Sequence, residues 1–166
     1  MIAALQLSLF PALMIYAACS DLLTMTISNR VALLLAAGFA VMAWLTGMTA
    51  TESLSHIAAG FSVLVVAFVL FARGWIGGGD AKFAAAIALW LGFAQLAAFL
   101  IAAAILGGFL TLALLQMRSL PLPAAFAGQQ WLRRLHMPAS GIPYGIALAS
   151  AGLLLYPHSI WMRIAG

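Results

Sequence analysis

Residues 83–117 read FAAAIALWLGFAQLAAFLIAAAILGGFLTLALLQM, thirty-five positions without one charge. As a single helix rising 1.5 Å per residue they would extend about 50 Å. The hydrocarbon core of a bilayer is only roughly 30 Å thick. The run is therefore predicted to be two membrane spans, divided near Gly92. Working outward, residues 57–72, 31–47 and 2–20 upstream and 142–156 downstream are each apolar enough to cross. Polar connections are expected at 21–30, 48–55, 73–82 and 118–141. The last carries Pro121, Pro123, Pro138 and three arginines, with an amphipathic stretch around 129–135. The expected fold is all-α, a polytopic membrane protein of about six transmembrane helices.

Composition demands the same solvent. Of the 166 residues, 66% are hydrophobic and 6% charged, against about 45–50% apolar and about 25% charged in a soluble domain. With no repeat or soluble segment evident, residues 1–166 are expected to form one transmembrane domain. The N-terminus lacks a basic region and a small-residue cleavage site, so it reads as a retained span rather than a signal peptide. The formal charge is +4 without any basic run, which speaks against nucleic acid and for anionic lipid headgroups as partners. Arg30, Arg73, Lys82, Arg118, Arg133 and Arg134 fall in connections on one predicted side, and Glu52 and Arg163 on the other. The positive-inside rule makes the first side cytoplasmic and puts both termini outside.

Few side chains could carry chemistry. Cys19 is the only cysteine, which rules out an intrachain disulfide, and it is expected to be a small buried apolar residue. His56, His136 and His158 are isolated, show no paired-histidine spacing, and are expected to pack or be solvated at interfaces. No metal or cofactor is expected. Ala103 with Gly107, and Ala104 with Gly108, are expected to allow close backbone packing of the fifth span.

Asp21, Glu52 and Asp80 are the only acids, and Asp21 and Asp80 share the predicted cytoplasmic side. Each has a structural reading as a helix cap, Asp80 because it follows Gly77-Gly78-Gly79 and precedes an apolar helix. An ionisable group near membrane depth is equally a functional candidate. A protease, a proton path and an ion site would all use such a pair. Two adjacent carboxylates share a proton, so one can accept a proton from water while the other donates to a carbonyl.

Gly77-Gly78-Gly79-Asp80-Ala81-Lys82 resembles the GxGD signature of intramembrane aspartyl proteases, in the version found in type IV prepilin peptidases. Asp21 with Ile27-Ser28-Asn29 resembles that family's other aspartate and its following Ile-Pro-Asn motif, with Ser28 where proline is usual. Pro143-Tyr144-Gly145 is similar to a further, less specific Pro-aromatic-Gly stretch. The resemblance spans essentially the whole chain. It implies Asp21 and Asp80 as a catalytic dyad, with Gly77, Gly79, Lys82, Ile27 and Asn29 in support. It implies as substrate a prepilin, whose basic leader precedes a hydrophobic helix and is cut off after a glycine at their junction. Larger members add a cysteine-rich zinc-binding region and methylate the new terminus. With one cysteine, this chain resembles the short peptidase-only form that serves Flp-type (tight-adherence) pili in the bacterial inner membrane.

Alternatives come from other classes. A preflagellin peptidase would share both aspartates. A small proton-coupled transporter would be expected to hold its acids near mid-span and to show an inverted repeat. A structural subunit of a secretion machine would use both aspartates only as caps. Lys82 lies two residues, about 200° around a helix, from Asp80. It is read either as snorkelling to lipid phosphate or as meeting the substrate.

Overall fold

The structure, a computed structural model, describes residues 2–122 and 128–165. Among the described residues there is no strand. The helices are α1 (Ile2–Thr24), α2 (Asn29–Leu45), α3 (Ala50–Ala72), α4 (Gly78–Ser119), α5 (Gln130–His136), α6 (Tyr144–Leu155) and α7 (Ile160–Ala165). Turns of 3₁₀ helix, Pro138–Ser140 and Tyr156–His158, precede and follow α6. The stretches Ala4–Thr24, Ala50–Ala72, Gly78–Ser119 and Tyr144–Arg163 are long and apolar enough to cross a membrane; α2, with 17 residues, is shorter.

α4 has 42 residues but is not one rod. Gly92, at φ 67° and ψ 179°, breaks it where the sequence divides the apolar run. A left-handed φ is readily adopted only by glycine. Counting the two arms of α4 and the shorter α2, the molecule is an all-α polytopic bundle of about six spans.

A helix broken inside a membrane must find other donors for its carbonyls. His56 on α3 donates from Nδ1 to the Leu89 carbonyl at 2.9 Å, and Trp161 on α7 donates from Nε1 to the Trp90 carbonyl at 2.7 Å. A Cβ at Gly92 would stand 2.8 Å from the imidazole. Of the two roles expected for it, packing or solvation, His56 therefore takes the first, as a buried brace for the break.

Several helix limits move. α1 continues through Asp21 to Thr24 rather than ending at 20, and Met25 closes it with φ 57° and a bond from its N–H to the Asp21 carbonyl. α3 starts at Ala50 behind a reciprocal cap between Thr49 and Glu52, which shortens the predicted 48–55 connection. The amphipathic stretch near 129–135 is α5. Residues 123–127 of the predicted 118–141 loop, Pro123 included, lie outside the described residues.

The arm of α4 before Gly92 is the centre of the bundle, with Phe83, Ile87, Ala88 and Trp90 fully buried. α2, α3 and α6 pack around α4. Beyond Gly92, Ala103 and Gly107 receive an aromatic ring rather than another backbone. Tyr144 fills the notch at Gly107 and donates to the Ala103 carbonyl at 3.1 Å. Among the described residues, nothing lies within 4 Å of where a Cβ at Gly108 would stand. Cys19 is exposed, contrary to expectation, because α1 buries the seam of Phe10, Met14, Ala17 and Asp21, and Cys19 is off it.

The connections that follow α1 and α3, and the segment leading into α6, meet at one end of the bundle. There Lys82 bonds to Asn29, Arg134 reaches the Leu23 carbonyl, and Arg118 holds the carbonyls of Leu135 and Gly141. At the opposite end Tyr156 bonds to the Gln6 carbonyl and Gln95 to that of His158.

Candidate active site

The buried seam of α1 ends in a charge. Gln6, Phe10, Met14, Ala17 and Asp21 recur every three or four residues, so Asp21 points inward with the apolar residues before it, only 4% exposed. Its Oδ2 accepts a 2.7 Å bond from the Gly145 backbone N–H. Gly145 lies in the first turn of α6, where N–H groups lack helical partners and the N-cap, Pro143, offers no side-chain bond. A Cβ at Gly145 would lie 2.4 Å from Ile27 Cδ1 and 2.7 Å from Asp21 Oδ2. Any larger residue would push the carboxylate away.

Asp80 comes from the start of α4. Gly77 is the N-cap and makes no side-chain cap bond, and Asp80 follows within the first turn. The carboxylate folds back over Gly77, where a Cβ would stand 2.8 Å from Oδ2. Gly79 brings this turn against the chain after α1; a Cβ there would be 3.2 Å from the Ile27 carbonyl. The glycines thus draw the first turn of α4 onto residues 25–27.

Asp21 and Asp80 line the same recess, of about 220 Å³, together with Met25, Thr26, Ile27, Gly77, Gly79 and Ile142. At about 30 Å³ per water it has room for several waters. Asn29 and Lys82 are joined elsewhere: the Lys82 ammonium donates to Asn29 Oδ1 at 3.0 Å, and both face a groove on the other side of α4. The predicted residues therefore divide. Five surround the cavity, and two form a separate pair.

Gly145 contributes most to the site among residues to which the sequence assigned no role. Its only signal was the Pro143-Tyr144-Gly145 resemblance, because a backbone N–H has no sequence signature. Met25 gives no signal either, since a non-glycine residue at positive φ cannot be read from its type. Among the described residues no three metal-ligating side chains gather.

Fold and recess together define a polytopic helical membrane protein with two carboxylates in one polar recess at an end of the bundle. Residues 8–112, well over half the chain, match the type IV leader peptidase family, and the chain belongs to that family. No curated protein and no solved structure matches it. Membership implies a peptidase with a prepilin substrate.

Proposed function

We propose that this chain, as one transmembrane domain over 1–166, is an aspartyl endopeptidase that removes the basic leader of Flp-type prepilins, with Asp21 and Asp80 as catalytic residues. The observation that carries this is the shared cavity: two carboxylates, remote in sequence, face one space with room for water. Neighbouring carboxylates hold one proton between them. The charged one takes a proton from water as the water oxygen attacks the scissile carbonyl carbon, and the neutral one donates to the carbonyl oxygen. Collapse of the resulting diol breaks the C–N bond and passes a proton to the leaving amine. Gly77 and Gly79 let the Asp80 carboxylate and the Ile27 carbonyl come close, which holds the first turn of α4 beside Asp21.

Basic residues crowd this end of the bundle, including Arg30, Arg73, Lys82 and Arg134, which by the positive-inside rule favours the cytoplasmic face of the inner membrane. A capping role for Asp21 has one observation in its favour, the bond from Gly145 at the start of α6. The two roles separate experimentally. Co-expression with a precursor pilin, read by mass for leader removal, should show cleavage by the native chain and none by Asp21→Asn or Asp80→Asn that inserts normally. Full cleavage by either variant would refute the dyad. A preflagellin precursor in the same assay distinguishes the sibling substrate class.

A further inference from the structure

α2 and α3 are joined by the short turn 46–49, yet each packs on α4 and scarcely on the other. Consecutive helices with a tight connection usually lie side by side. Here they splay, and the space between them is a groove of about 960 Å³ floored by α4. Its α2 wall runs from Asn29 to Trp44, about 22 Å at 1.5 Å per residue, which is most of a bilayer core of roughly 30 Å.

We propose that this groove receives the apolar transmembrane helix of the substrate, and that Lys82 meets an acidic side chain in that helix's first turn. The proposal rests on the peptidase function above and adds where the uncut precursor sits. Three properties favour a helix of that chemistry. Ala36, Ala40 and Ala85 line the groove from α2 and α4, and small residues let another helix bring its backbone close. Its lining holds one charge, the Lys82 ammonium, and no acid, and in the structure that ammonium bonds to the neutral Asn29 amide. An exposed ammonium at the mouth of an apolar groove is free to exchange that neutral partner for a carboxylate.

Polarity then specifies where the acid belongs. The substrate helix follows the bond to be cut, so its N-terminal end lies at the Asp80 end of the groove, beside Lys82. A helix N-terminus carries partial positive charge and favours an acid in its first turn. Such an acid would answer the helix end and Lys82 together. Between groove and cavity stands the first turn of α4, so the segment that carries the bond to be cut has only that one turn to cross.

The test uses the full chain in phosphatidylcholine–phosphatidylglycerol vesicles with a precursor pilin. Asp80→Asn holds the precursor uncut, and Cys19→Ser removes the only native cysteine. A cysteine at Ala40 should crosslink to one in the middle of the substrate helix. A cysteine at Ile105, exposed on the second arm of α4, should not. In the active chain, Lys82→Met should raise KM about tenfold with kcat within about twofold, the size expected for one charged hydrogen bond. Changing the substrate acid to glutamine should do the same, with no further loss in combination. Lys82→Glu with the substrate acid changed to lysine should recover KM.

Equal crosslinking at both positions, or independent losses from the two partners, overturns the proposal while leaving the peptidase intact. An unchanged KM in Ala40→Leu has the same meaning, because it identifies a groove filled by lipid alone. Failure of the native chain to cut any precursor removes the peptidase function and this proposal together.

Discussion

Asp80 and Lys82 are two residues apart on one helical turn and face different recesses. Asp80 looks into a small cavity with Asp21, and Lys82 looks into a long apolar groove with Asn29. The separation follows from helix geometry, since two residues advance about 200° around the axis. The six residues from Gly77 to Lys82 therefore contribute to two surfaces with different physics. One is compact and lined by both carboxylates. The other is extended and apolar, with Lys82 as the one charge in its lining. Bond breaking needs a fixed pair of carboxylates at one point, whereas recognition of a membrane helix needs contact along most of a bilayer's depth.

The sharpest way to break this contrast is to remove one charge from the cavity. Asp80→Asn and Asp21→Asn should each lower the rate of leader removal by about 10³-fold or more, as loss of one member of a cooperating unit does. Thermal unfolding in detergent should change little, because asparagine keeps an acceptor for the Gly145 N–H. Comparable losses from Lys82→Met would erase the distinction between the two faces.

Gly145→Ala tests whether the cavity depends on its backbone partner. Its Cβ cannot fit beside Asp21 and Ile27 at 2.7 and 2.4 Å. Cleavage should fall about 100-fold, the scale of a 1 Å misplacement of a reacting group. A rate within a few-fold of the native chain would mean that Asp21 does not need that contact.

Smaller effects are expected at the opposite end. Gly92→Ala combines a positive φ with a Cβ against the His56 ring. It should cost about 1–3 kcal/mol of stability by chemical unfolding, with the cleavage rate per folded molecule within a few-fold. His56→Ala leaves the Leu89 carbonyl without that donor and should cost about 1–2 kcal/mol. If either change instead abolished cleavage without unfolding, the break in α4 would belong to the site rather than to the frame.

The two arms of α4 show why some of this was legible in sequence and some was not. The break at Gly92 could be read, because thirty-five uncharged residues exceed any bilayer and glycine tolerates the turn. The burial of residues before Gly92 and the exposure of many after it could not. Phe83 and Phe109 look alike as residues, yet the first is fully buried and the second is 68% exposed.

Sequence alone determined the solvent, the number of spans, the break near Gly92 and the presence of two acids at ends of predicted helices. These depend on length, polarity and backbone freedom, which are local properties. The tertiary structure decided that Asp21 ends the buried seam of α1, that Gly145 supplies its donor, that Asn29 pairs with Lys82, and that α2 and α3 part to form a groove. In water, hydrophobicity marks the inner face of a helix. In a bilayer, lipid and core are equally apolar, so hydrophobicity no longer tells the two faces apart. Which side of each helix turned inward was settled by small residues, glycine contacts and a few hydrogen bonds, all of which exist only once the helices have packed.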